Sequence, residues 1–289
     1  MLVAVVAALL ASLAYALASV LQHRAAIAQP AGKSMRLGLL TKLVRSRLWL
    51  LGIACDGVAF ALQFVALGQG ALVLVQPLLV CGLLFALPLG AWSAGSRMTR
   101  RDWYGATAVV VGLALFLVVS SPGRGHAEVA NQDWFMLLGI SGVAIAGLVG
   151  AARHRSGPAR AGLLAAAAGI NYGVTAALTK AAAALLGTGV QELFESWEVY
   201  VLVGAGLFGM LLAQSAFQAG PLDASLPVLT VVDPIVSILI GALVLGEGVK
   251  SGLVPTSLEA IGLISVTVGV FVLSKAEAIQ GVLEESAGD

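Results

Sequence analysis

The stretch SLPVLTVVDPIVSILIGALVLG, Ser225 to Gly246, runs for 22 residues with a single charged group, Asp233. A helix of about 20 apolar residues crosses about 30 Å of hydrocarbon, so this run predicts a transmembrane span. Working outward, eight more runs of the same kind appear: Leu2 to Gln22, Leu48 to Leu67, Leu72 to Ala94, Trp103 to Ser120, Trp134 to Ala152, Ala161 to Leu186, Val199 to Ala219 and Ala260 to Ser274. The composition agrees. Of 289 residues 59% are hydrophobic and 11% charged, against about 25% charged in a soluble domain. An ordinary soluble domain is excluded. The net charge of +1 leaves no basic stripe for nucleic acid. The expected fold class is an all-α polytopic membrane protein with nine transmembrane helices.

Orientation follows from Lys and Arg, which stay cytoplasmic. Alternate connections and the C-terminal tail hold Arg24, Lys33, Arg36, Lys42, Arg45, Arg47, Arg97, Arg100, Arg101, Arg153, Arg155, Arg160 and Lys275, and the opposite connections only Arg124 and Lys250. The N-terminus is therefore expected outside and the C-terminus in the cytoplasm, in a plasma (bacterial inner) membrane. No positive charge precedes the first span, so it is expected to remain as a span rather than a signal peptide. The basic segment 34–47 is expected to lie on the inner leaflet as an amphipathic helix or to form a loop. The acidic tail 276–289 is expected to fray.

Shifted by 150 residues, GQGALVLVQPLL (68–79) falls on QAGPLDASLPVL (218–229), so that Ala66, Gly70, Leu72, Pro77 and Leu79 meet Ala216, Gly220, Leu222, Pro227 and Leu229. A shift of 157 pairs Gly105, Val109, Val111 and Gly112 with Gly262, Val266, Val268 and Gly269. At the front, LLASLAYALA (9–18) resembles LLAAAAGINY (163–172). The expected layout is a first repeat of spans one to four (1–120), a linker span (121–157) and a second repeat of spans six to nine (158–275). An odd number of crossings separates the copies, so the second enters the membrane in the opposite direction. Inverted repeats of this kind characterise secondary transporters, whose substrate sites lie near the midplane.

A tight turn after Gly70 or Gly220, a proline about seven residues later, and a closing small-rich helix after LVLGE or GAWSAG resemble the drug/metabolite transporter (DMT) superfamily, of the EamA type. The likeness implies paired four-helix halves that carry a small solute. Nine spans resemble its NIPA-type magnesium transporters, whose second span carries an acid in a Gly-Glu-Val-Ala-Asn-Phe context. CDGVAFALQF offers Asp56 at the matching place, with Asp for Glu and Ala59 for the asparagine. That likeness implies Asp56 as a ligand for Mg²⁺; Asp233, which has no matching acid in that pattern, could add a second carboxylate.

The spans contain three formally charged side chains, Asp56, Lys180 and Asp233. Each costs about 2.5 to 3.5 kcal/mol on insertion scales and marks a functional position by default. Asp56 and Asp233 lie eight residues into outward-running spans, about 12 Å deep, level with each other in opposite halves. Both are candidate coupling carboxylates, with a structural hydrogen bond as the alternative for each. Asp233 precedes Pro234, which frees the carbonyl of Thr230 for another donor. Lys180, about six residues from the outer end of its span, is expected to snorkel, or else to pair with a carboxylate or an anionic solute. Asn171 and Tyr172 at mid-span, with Gln63 and Gln214, are candidate lining residues, with a bond between helices of about 1 kcal/mol as the alternative for each.

Several patterns are discounted. GAGLFG (204–209) spells a dinucleotide motif but has no strand before it, so close helix packing is expected. The glycines of GISGVAIAGLVG (139–150) are expected to admit a neighbour and would suit a homodimer interface. Cys55 and Cys81 lie in apolar runs and are expected as free thiols. No enzyme motif and no resident cofactor is expected. The leading expectation is a proton-coupled DMT-type carrier of a small organic solute or lipid-linked head group, embedded in the lipid bilayer. The alternatives are a NIPA-like Mg²⁺ transporter, and a non-transporting membrane assembly or lipid-handling protein.

Overall fold

The computed structural model describes residues 2–27, 46–94, 99–120, 129–220, 222–247 and 257–272. The segment 34–45 and the tail 276–289 lie outside them. Every regular element among the described residues is helical: α1 (Leu2–Ile27), α2 (Arg47–Gln69), α3 (Leu72–Val80), α4 (Gly82–Ala94), α5 (Arg100–Ser120), α6 (Asn131–Arg153), α7 (Gly157–Thr188), the short α8 (Val190–Glu195), α9 (Trp197–Ala219), α10 (Leu222–Leu243) and α11 (Ser257–Val272). Five stretches are long and apolar enough to cross a membrane: Leu2–Leu21, Arg47–Gln69, Asn131–Arg153, Gly157–Gly187 and Trp197–Phe217. Shorter apolar helices run over Leu72–Ala86, Val228–Leu243 and Ser257–Val272. The chain thus reads as a multi-pass helical membrane protein.

Side-chain size is distributed inside out relative to a soluble bundle. Ala4, Ala8, Ala11 and Ala18 of α1 and Ala161, Ala165, Ala167, Ala168 and Ala177 of α7 are fully buried, while Phe135, Met136, Ile140, Val203, Leu207 and Leu211 point outward. Small residues let helix axes approach where lipid, not water, surrounds the bundle, and large apolar ones face the lipid. The two alanine-rich helices are the hubs. Helix α1 packs on α2, α3 and α4, and α7 packs on α6, α9 and α10, while α3 meets α10 and α2 meets α7 across the middle.

Two elements depart from the expected spans. The third span breaks at Cys81 into α3 and α4, where the Cys81 N–H turns back to the carbonyls of Leu78 and Leu79. Pro77 lies one turn earlier; its ring removes a helical N–H and crowds the preceding carbonyl, which favours a kink. The sixth span is longer than expected, since α7 runs 32 residues. At 1.5 Å per residue that is about 48 Å, more than the hydrocarbon thickness. Its last turns therefore stand at one end of the bundle beside α8. Trp197 at the start of α9 meets Trp134 of α6 edge-on, with ring centroids 6.3 Å apart, and stacks on Phe135 at 5.6 Å.

Close contacts recur as mates under the sequence offsets. A Cβ on Gly112 would lie 2.8 Å from the Val266 nitrogen, and one on Gly269 would lie 2.8 Å from the Val109 nitrogen. Likewise a Cβ on Gly112 would lie 2.6 Å from the Gly262 carbonyl oxygen, and one on Gly269 would lie 2.7 Å from that of Gly105. Gly269 meets the Gly105 carbonyl oxygen, so α5 and α11 cross antiparallel. At the centre of the crossing Ser265 Oγ donates to the Ala108 carbonyl at 2.9 Å, and these two residues are separated by 157. The opening helices obey the same offset: Gly70 abuts Ala4 as Gly220 abuts Ala161, and Gly82 abuts Ser12 as Val232 abuts Gly169. At that offset LLASLAYALA falls three residues further along than its sequence likeness suggests, which sets Tyr15 against Tyr172.

The same offset relates two helix starts. Thr99 and Asp102 form a reciprocal capping box: Asp102 Oδ2 accepts from the Thr99 N–H at 2.6 Å, and Thr99 Oγ1 accepts from the Asp102 N–H at 3.3 Å. Thr256 and Glu259 repeat the Thr-x-x-acid spacing 157 residues later. Asp102 and Glu259 are both buried.

Candidate functional site

The first polar centre sits at mid-helix. Tyr15 is at the middle of α1, where its hydroxyl donates to Gln63 Oε1 of α2 at 2.8 Å. Tyr15 is also within electrostatic reach of Asp56 on α2 and Asp233 on α10, and Tyr172 on α7 is within reach of Asp233. Asp233 accepts from Ser237 Oγ one turn on, at 3.3 Å. Asp56, Asp233, Gln63, Tyr15 and Tyr172 are all half-buried. Four helices thus place Asp56 and Asp233 within electrostatic reach of Tyr15, and Asp233 within reach of Tyr172. Tyr15 did not stand out in the sequence because an alanine-rich match hid its counterpart.

The other expected lining residues lie elsewhere. Asn171 is buried, and its Nδ2 donates to the Ala205 carbonyl at 2.7 Å and approaches Thr175 Oγ1 at 3.5 Å. Its amide joins α7 to α9, where a Cβ on Gly209 would run into that Nδ2 and lie 2.7 Å from the Tyr172 ring. Gln214 is on the exposed face of α9. Of GAGLFG, only Gly209 is packed in this way; nothing lies within 4 Å of a Cβ at Gly204 or Gly206. The same is true of Gly139, Gly142, Gly147 and Gly150 on α6, so among the described residues no neighbour uses that stripe. Cys55 and Cys81 are free thiols. Among the described residues no three His, Cys, Asp or Glu side chains gather as a metal site.

The second centre is at the end of the bundle, and its acid was legible only as part of a loop. Helix α10 ends at Leu243, Gly246 adopts φ +60°, and the Glu247 N–H returns to the Gly241 carbonyl at 2.9 Å. That left-handed glycine is a helix-terminating device, and here it folds Glu247 back into the protein. Glu247 is 1% exposed. Its Oε1 accepts from the Leu72 N–H at 2.6 Å and its Oε2 from the Val73 N–H at 2.8 Å. The carboxylate therefore caps the N-terminus of α3, where unpaired N–H groups and the helix dipole favour negative charge. Lys180 of α7, 8% exposed, completes the arrangement as an ion pair with Glu247. The expected snorkelling of Lys180 is thereby corrected: the ammonium turns into the bundle because a buried carboxylate is within reach. Gly241 makes the room, since a Cβ there would lie 2.5 Å from Glu247 Oε2 and 2.8 Å from Val73 Cγ2.

The chain is 34% identical to an uncharacterized protein of Corynebacterium glutamicum over 247 residues, 85% of this chain and 86% of that one. It belongs to that protein's family. No family model matches the chain, and no solved structure matches it.

Proposed function

We propose that this protein is a secondary transporter of the DMT type, with nine spans arranged as two inverted four-helix repeats joined by α6. It moves a small organic solute or lipid-linked head group by alternating access, coupled to protons, in the plasma membrane, with its N-terminus outside; it is not an enzyme. The observation that carries the reading is the mid-helix centre. Asp56 and Asp233 come from different helices at mid-length and both lie within electrostatic reach of Tyr15, whose hydroxyl bonds Gln63, while the lysine of the spans has its ion-pair partner, Glu247, at the end of the bundle. Carboxylates at this depth favour a proton or a cation delivered from outside.

The inverted arrangement draws support from the mated contacts. Glycines offset by 157 exchange partners across the α5–α11 crossing, and Ser265 meets its own counterpart, Ala108. Reciprocity of this kind is what a two-fold relation between copies produces, and antiparallel helices require the axis to lie across them. A NIPA-like Mg²⁺ transporter remains the second reading, supported by the two carboxylates; Mg²⁺ retains several waters and needs few protein ligands.

The test is a flux screen in proteoliposomes. Pooled labelled metabolites and Mg²⁺ are offered with and without an imposed pH gradient. The proposal expects gradient-dependent accumulation of an organic solute and none of Mg²⁺. Mg²⁺ flux insensitive to the pH gradient would replace it with the second reading.

A further inference from the structure

The Glu247 centre joins parts of the chain that are far apart in sequence. The acid follows α10, the N–H groups it caps open α3, and the ammonium comes from α7. Leu72, Val73 and Leu245 around it are buried, so this end of the bundle is sealed by apolar side chains with one ion pair inside the seal. The corresponding connection of the first half, residues 90–98, reads Gly-Ala-Trp-Ser-Ala-Gly-Ser-Arg-Met and supplies no carboxylate. The two ends of the molecule are therefore chemically unlike, although the helices around them repeat.

We propose that Glu247 is a gate latch: its carboxylate, held by Lys180 and the first turn of α3, keeps the end of the bundle opposite the arginine-rich connections closed. Opening draws α3 away from α7 and the end of α10. Both charges then meet water, so they separate without either being left dry. Closing strips that water and restores three charge-assisted contacts in a low-dielectric setting, where they are strongest. Substitution of either partner removes the latch without touching Asp56 or Asp233. Exchanging the two charges does not restore it, because a lysine at 247 has no acceptor for the Leu72 and Val73 N–H groups. The latch rests on the transport reading for its purpose but not for its detection.

The experiment places one cysteine at Ala177, fully buried one turn before Lys180 on α7, in the full-length chain with Cys55→Ser and Cys81→Ala. Sealed vesicles of either orientation are treated with a membrane-impermeant thiol reagent, with no solute gradient. Glu247→Gln and Lys180→Met are expected to raise the labelling rate about tenfold or more from the side on which α3 begins, with no change from the other side, as a shifted open population requires. Lys180→Arg, which keeps the charge, is expected to label like the parent. Unchanged rates in both loss-of-charge variants, or equal increases from both sides, would overturn the latch. Should Glu247→Gln fail to reach the membrane, Lys180→Met decides alone. One-sided labelling in a protein that carries no solute would refute the transport reading and leave the latch standing.

Discussion

Gly241→Ala isolates the Glu247 centre with one methyl group. The added carbon would lie 2.5 Å from Glu247 Oε2 and 2.8 Å from Val73 Cγ2. Neither neighbour can yield freely: Glu247 is tied to the Leu72 and Val73 N–H groups and to Lys180, and Val73 is fully buried. If the site absorbs the methyl by shifting backbone, overpacking costs about 1 to 3 kcal/mol. If Glu247 is expelled instead, Lys180 loses its buried partner and the cost rises to about 3 to 5 kcal/mol. The assay is reversible unfolding in detergent micelles, with Gly142→Ala as control. Gly142 has nothing within 4 Å of its Cβ position, so alanine there is expected to be neutral or to stabilise by up to about 1 kcal/mol. A difference of at least about 1 kcal/mol between the variants is expected from these costs. Equal stabilities would refute the packing described around Glu247.

Gly112→Val and Gly269→Val occupy mated positions in the α5–α11 crossing and are expected to destabilise to a similar extent, by about 1 to 3 kcal/mol each; a loss confined to one of them would contradict the reciprocal contacts. Asn171→Leu removes one inter-helix bond and is expected to lower stability by about 1 kcal/mol while leaving the solute KM unchanged, because its amide faces Ala205 rather than the mid-helix centre. A single cysteine at position 98 is expected to label only from the cytoplasmic side; labelling from outside sealed cells would reverse the topology.

The helices were legible because most long apolar runs are bounded by charged residues, or, between Leu67 and Leu72, by a glycine turn. Asp56 and Asp233 were legible for the same reason: a charge inside an apolar run stands out against its surroundings. Glu247 was not, because an acid next to a glycine in a connection reads as solvated. Its burial depends on the fold-back at Gly246 and on the void beside Gly241, neither of which leaves a periodic trace. Lys180 without a visible acid on its own span invited the snorkelling expectation; a lysine inside a span and a Gly-Glu turn at the same predicted end were the available signal. The register proposed for the first helices was blurred by alanine, whose abundance makes several offsets score alike; the contacts of Gly70 with Ala4 and of Gly220 with Ala161 favour an offset of 157. For Asn171 both a lining role and an inter-helix bond were open from the sequence; Gly209 brings α9 close enough for its amide to bond a backbone carbonyl.

The central claim is that Asp56 and Asp233 couple solute movement to protons, and the most direct measurement compares gradient-driven uptake with exchange in proteoliposomes. Replacement by asparagine keeps the volume of each side chain and removes its titration. Exchange of one solute molecule for another need not move a proton. Asp56→Asn is therefore expected to abolish pH-gradient-driven uptake while sparing exchange, and Asp233→Asn is expected to impair the same uptake. Gradient-driven uptake that survives both substitutions intact would show that the carboxylates are structural and would contradict the account.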